Sequence, residues 1–212
     1  MTEPLAVYLE VTRKRAFAGA VEWPGWCRAG KTEEEALAAL VAYSDRYAKV
    51  VGRGIAAPRG VEDLEVVERL TGNATTEFGA PGVAPAADDR PVDAKDLKRL
   101  TTILEASWRA FDRAAEGAVG VTLTKGPRGG GRDVPKIVEH VEGAEESYLS
   151  KLGSRAPEVG LRTAILTALE ARAKGKPVAD PNKVEKLWSP RYYVRRSAWH
   201  ALDHAWEIED RS

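Results

Sequence analysis

Two different spacings of apolar residues divide this chain. Leu5–Val11 and Ala16–Trp23 are short runs rich in β-formers, separated by the polar, basic turn Thr12–Arg15, and they predict a β-hairpin. Pro24-Gly25 breaks the second run, and Trp26–Ala29 predicts a short third strand. Thr32 then stands three residues before Glu35, with Glu33 and Glu34 between them, the arrangement of a helix N-terminus closed by a capping box. Ala36, Leu37, Leu40, Val41, Tyr43 and Tyr47 carry a helical spacing from there to about Val50, where Gly52 and Gly54 stop it. A further strand is expected over Leu64–Leu70. Residues 72–92 show no period and are punctuated by Gly72, Gly79, Pro81, Gly82, Pro85 and Pro91, which reads as a linker.

From residue 93 the spacing is helical throughout. Asp93–Ala115 predicts a helix capped by Asp93, with Leu97, Leu100, Ile103, Leu104, Ser107, Trp108 and Phe111 along one stripe. A second helix is expected from Asp133 to Gly153, with Ile137, His140, Val141, Ala144 and Tyr148 inward. A third spans Pro157–Ala173 and a fourth runs from about Pro190 to Asp210. The expected fold is therefore α+β: a small sheet domain over 1–71, a linker over 72–92, and a four-helix bundle over 93–212.

Composition narrows the partners. Thirty-two basic residues balance 32 acidic ones, so nothing draws the chain in bulk to nucleic acid or to an anionic membrane. No apolar run approaches the ~20 residues that span a bilayer, and Met1-Thr2-Glu3-Pro4 lacks the basic-then-apolar start of a signal peptide. The single cysteine, Cys27, permits no internal disulfide and fits a reducing cytoplasm, where it is expected to pack as a small hydrophobe. Trp199 and Trp206 are expected in the core or at a subunit interface.

The chemistry concentrates in the chain's three histidines. His200 and His204 are one helical turn apart and project from one face; His140 stands on the inward face of the second helix. If those faces meet, three imidazoles converge, and three protein ligands with an open fourth position is the pattern of a working metal site. Tyr193, Arg196 and Glu207 share the face of His200. Arg196 and Tyr193 are candidates for binding substrate, Arg196 by gripping a carboxylate with two N–H groups. Asp203 and Glu207 are candidates for orienting the ligand imidazoles. The Gly126–Gly131 stretch lacks the Lys-Ser/Thr ending of a P-loop and reads as a connection or lid, with anion binding at the following helix start as the alternative.

Two resemblances sharpen these expectations. Trp23-Pro24-Gly25-Trp26-Cys27, followed by Gly30-Lys31-Thr32-Glu33-Glu34-Glu35-Ala36, resembles the HicB-like domain, whose members serve as antitoxin parts or accessory modules. No basic DNA-binding segment follows, so a protein partner rather than DNA is implied for this region. Lys136–Leu149 and Arg195–Glu207 resemble the second and fourth helices of the DinB-like metal-binding bundle. Position by position, that resemblance implies a divalent metal, zinc or nickel, on His140, His200 and His204, and a homodimer. The same superfamily includes S-transferases that use mycothiol or bacillithiol, and a mycothiol-dependent isomerase. The expected function is thus a metal-dependent enzyme of the low-molecular-weight-thiol S-transferase type acting on a small-molecule substrate. The alternative is a non-catalytic, metal-stabilised binding or stress-response module.

Overall fold

In a computed structural model, residues 3–52, 54–126, 131–176 and 187–212 are described. The chain forms two compact units, Met1–Arg90 and Pro91–Ser212. The first is mixed α+β and the second is helical.

The first unit holds a four-stranded sheet in the order β3-β2-β1-β4, made of β1 (Leu5–Val11), β2 (Ala16–Ala20), β3 (Cys27–Gly30) and β4 (Leu64–Thr71). The hairpin pairs β1 with β2 antiparallel, Val7 opposite Ala20 and Val11 opposite Ala16. After the helical crossover, β4 pairs parallel to β1, Leu5 opposite Leu64. As an inner strand, β1 is buried on both faces: Val7, Tyr8, Leu9 and Glu10 are all inaccessible, which is why it lacks the strict alternation of a half-exposed strand. Gly19, opposite Tyr8, leaves room for that ring, since a Cβ there would lie 2.4 Å from Tyr8 Cε1.

The predicted single helix over 32–50 is divided at Tyr43 into α1 (Glu33–Ala42) and α2 (Ser44–Val51). Thr32 caps α1, its side chain accepting from Glu35 N–H, and the Glu35 carboxylate accepts from Lys31 N–H. The break has a local cause. Trp26 Nε1–H donates to the Leu40 carbonyl at 2.9 Å, the acceptor that a continuous helix offers to Ser44 N–H. Tyr47, on α2, stacks on Trp26 with ring centroids 5.2 Å apart and donates its hydroxyl to the Pro24 carbonyl. Cys27 is buried, within 4.0 Å of the Tyr8 hydroxyl, as expected for a small packing residue.

Residues 72–90, expected as a linker, belong to the first unit. Asn73 caps a short helix, α3 (Ala74–Phe78), through a capping box with Thr76, and Gly79 ends it in the left-handed conformation. The segment is tied to the sheet by the fully buried carboxylate of Glu10. This accepts from the Thr76 hydroxyl, from Gly82 N–H at 2.8 Å and from Val83 N–H at 3.1 Å. Further along, Glu68 accepts from Ala86 N–H, and Arg90 pairs with Glu22 at 2.6 Å. These ties are polar and long-range, spanning up to 73 residues of sequence, so they leave no apolar period. Because Glu10 satisfies three buried or half-buried donors at once, Glu10→Ala is expected to destabilise the first unit by about 2–4 kcal/mol. Urea unfolding followed by tryptophan fluorescence checks this; an unchanged midpoint would contradict the role given to Glu10.

The second unit is built from α4 (Ala94–Gly117), α5 (Val134–Leu149), α6 (Leu161–Ala173) and α7 (Pro190–Arg211). Asp93, Asp133 and Ser189 cap α4, α5 and α7 by accepting a backbone N–H three residues on. The third helix starts at Leu161 rather than Pro157, because Gly160 at φ 77° holds a conformation that no helix continues through. The central element of this unit is α7, which packs on α4, α5 and α6 and is buried along most of its length. Leu100, Ile103, Leu104 and Phe111 of α4, Ile137 and Val141 of α5, Ile165 and Leu169 of α6, and Leu202 and Ile208 of α7 form the core. Trp199 and Trp206 are also buried within this unit.

The α5 stripe is rotated slightly from expectation. Glu145 and Leu149 are buried, while Ala144 and Tyr148 are half-buried. Glu145 meets Arg162 of α6 at 3.2 Å, and Arg162 also meets Asp112 of α4 at 2.7 Å, so one guanidinium joins three helices. Among the described residues no helix is long and apolar enough to cross a membrane. Most of the glycine-rich stretch (127–130) and most of the loop before α7 (177–186) lie outside the described residues.

Candidate metal centre

The half-buried His140 on α5 and the buried His200 and His204 on α7 do converge. Their ring centroids are 4.7–5.0 Å apart in all three pairings, and one ligand nitrogen from each lies within 4.8 Å of the others. His140 Nε2 and His200 Nε2 are 3.2 Å apart. Two nitrogens bound at ~2.0–2.1 Å to one tetrahedral zinc stand about 3.3 Å from each other. The cluster therefore fits a divalent ion, and no other group of three His, Cys, Asp or Glu side chains with this property occurs among the described residues.

Electrostatics favour the same use. Burial, foremost, holds His200 well below the ordinary imidazole range, helped by the facing His204 and Arg196. Burial also lowers His140, again followed by His204. Both rings are thereby kept neutral near pH 7, the form that ligates a metal.

One turn beyond His204, Glu207 completes the arrangement. His204 Nδ1–H donates to Glu207 Oε2 at 2.8 Å, which leaves His204 Nε2 as the free nitrogen. The hydrogen bond from His204 lowers the Glu207 carboxyl below its ordinary value. Arg211 in turn donates to Glu207 Oε1 at 2.6 Å, to the Thr124 carbonyl and to the Arg132 carbonyl. Arg211 thus pins the carboxylate between the C-terminal turn of α7 and the chain on either side of residues 127–130. Sequence reading missed Arg211, although its spacing of four from Glu207 on a helix was a visible signal. Glu207→Gln keeps an acceptor for His204 but removes the charge, and is expected to weaken zinc binding about 10- to 100-fold. Competition with a chromophoric chelator measures this; a change under twofold would contradict the orienting role.

The remaining candidates separate. Asp203 is half-buried on α7 and outside the three-histidine cluster. Arg196 lies one turn before His200, its guanidinium carbon 4.7 Å from the Trp199 ring centroid and 5.6 Å from that of Tyr148. Tyr193 is fully buried, its ring 6.2 Å from that of Trp188, and burial raises its phenol above the ordinary range. Its hydroxyl consequently faces the interior of the unit and not solvent. A cavity of about 650 Å³ opens elsewhere, lined by Leu152, Pro157, Val159, Thr163 and Ala168, and takes in no residue of the histidine cluster. The histidine cluster, and not that cavity, is where titratable groups converge. No protein-family model, curated protein or solved structure matches this chain, so the reading of the site rests on its own geometry.

Proposed function

We propose that this chain is a DinB-like metalloprotein, with zinc or nickel held by His140, His200 and His204, and that it acts as a low-molecular-weight-thiol S-transferase. The convergence of three imidazole nitrogens within 4.8 Å carries the reading. A divalent cation bound there would lower the pKa of a thiol or water at its open position and so supply a nucleophile at neutral pH. The thiol comes from a cosubstrate such as mycothiol or bacillithiol, since the protein's one cysteine is buried in the other unit. Within the protein, His140, His200 and His204 would supply the ligand nitrogens, Glu207 fixes the tautomer of His204, and Arg211 fixes Glu207. Imidazole donors suit zinc and nickel alike. The test is to incubate zinc- or nickel-loaded protein with mycothiol or bacillithiol and a panel of small electrophiles. Metal-dependent conjugates seen by mass spectrometry, and lost in His200→Ala, are expected; equal conjugation without protein would contradict it.

A second reading is favoured by the depth of the α7 histidines, which are only 7% and 8% exposed. In it the metal stabilises a binding module, and the HicB-like first unit docks a protein partner through exposed apolar residues such as Val67 and Phe78. Metal-dependent stabilisation with no conjugate from any thiol and electrophile pair supports this second reading over the first.

A further inference from the structure

Three arginines of the helical unit, the buried Arg191 and Arg211 and the half-buried Arg162, each meet a carboxylate. Arg191 of α7 meets the Asp96 carboxylate and the Pro91 carbonyl. Arg162 lies between Glu145 and Asp112, and Arg211 holds Glu207 and two backbone carbonyls. Arg196, also buried, forms no such pair among the described residues. Only 9% of it is exposed, its Nη1 is shielded from solvent, and that atom has no hydrogen-bond partner among the described residues. Its guanidinium meets the Tyr148 and Trp199 rings, which supply cation–π attraction and the Tyr148 hydroxyl, and it forms no ion pair among the described residues.

A buried guanidinium that lacks a counter-charge is destabilising, and native structures rarely tolerate it without a partner. Its position indicates where the partner belongs. Arg196 precedes His200 by one helical turn, and the ring of Tyr148, which faces Arg196, is also 5.9 Å from the ring of His200. An anion on Arg196 therefore sits beside the histidine cluster. The planar fork of a guanidinium matches a carboxylate through two parallel N–H···O bonds. A single carboxylate group neutralises the Arg196 guanidinium it faces, whereas phosphate sets both of its charges on one group against that guanidinium. The aromatic walls keep water out, which strengthens the pairing.

We propose that Arg196 is an anion-binding residue of the histidine site, and that the small molecule bound there carries a carboxylate. This deepens, and rests on, the reading of the site as a metal-dependent centre for a small substrate. Access to Nη1 requires rotation of a surrounding side chain, so the ligand is expected to change tryptophan fluorescence as it binds.

Isothermal titration calorimetry with succinate, its neutral analogue succinamide, and inorganic phosphate tests this on metal-free and on zinc-loaded full-length protein. Succinate is expected to bind at least tenfold more tightly than succinamide or phosphate. Arg196→Gln is expected to remove that preference while one equivalent of zinc still binds, and Arg196→Lys to restore only part of it. Equal binding of succinate and succinamide, or an undiminished preference in Arg196→Gln, would overturn the proposal. If Arg196→Gln fails to fold, the wild-type contrast between succinate and succinamide decides alone. Zinc uptake separates the two ideas: uptake without a succinate preference overturns the carboxylate site, whereas a succinate preference in a protein that takes up no zinc supports it and defeats the metal reading.

Discussion

Zinc at about a thousand times its Kd is expected to raise the unfolding free energy of the helical unit by about 4 kcal/mol, an upward shift in Tm on the order of 10–20 °C. His200→Ala is expected to abolish that shift. Its imidazole stands 3.2 Å from His140 and one turn from His204, so removing it leaves two ligands that hold a divalent ion far more weakly. The effect has a defined pH dependence. Burial puts the folded pKa values of His200 and His140 below the ordinary 6.5, so in the metal-free protein the unfolded chain binds more protons. Stability is then fully present above about pH 6.5 and is lost as pH falls from there towards the folded values. Zinc competes with the same protons, so its stabilisation shrinks over that interval. Differential scanning fluorimetry at pH 7.5 and pH 5.5, with and without zinc, reads all of this. A Tm in His200→Ala that responds to zinc as wild type does would contradict the assignment.

Arg162→Ala is expected to be the most destabilising single change away from the histidines, at about 3–5 kcal/mol. Glu145 is buried in the core of the helical unit, which raises its carboxyl above the ordinary range, while the charge and hydrogen bonds of Arg162 oppose that rise. Without Arg162 the carboxylate stays in the core with no counter-charge, or takes up a proton. A carboxyl with a raised folded pKa gives stability that is present at low pH and lost as pH rises through that value. The deficit of Arg162→Ala should therefore be larger at pH 8 than at pH 5. Replacing Glu145 as well, in Arg162→Ala/Glu145→Leu, removes the stranded charge and is expected to recover a large part of the loss. Urea midpoints for the single and double variants check this; a double variant less stable than Arg162→Ala would contradict the account.

How far each feature could be read from the chain follows from the kind of interaction that holds it. The hairpin, the existence of a fourth strand, the capped helices and the shared faces of His200 with His204 and of His140 with its helix rest on local period and capping, which sequence displays directly. That the fourth strand pairs parallel to the first and that the histidine faces meet are long-range contacts the spacing left open. The burial of Glu145 lay off the predicted α5 stripe and was not legible, because its partner Arg162 lies on another helix. The division at Tyr43 depends on Trp26 Nε1 reaching the Leu40 carbonyl, a contact across fourteen residues that leaves no mark on helical spacing. Residues 72–90 looked like a linker for a similar reason: Glu10 holds them by hydrogen bonds to backbone amides, which any sequence can supply. Arg211 and the missing partner of Arg196 belong to the same class, since both concern what a side chain meets rather than which face it is on.

The central claim is that His140, His200 and His204 bind one divalent ion together. Metal analysis by mass spectrometry of protein dialysed against zinc, combined with zinc X-ray absorption, tests it most directly. One equivalent per chain is expected, with a scattering shell of three imidazoles and the equivalent lost in His200→Ala. Well under a tenth of an equivalent, or a shell unchanged by that substitution, would contradict it.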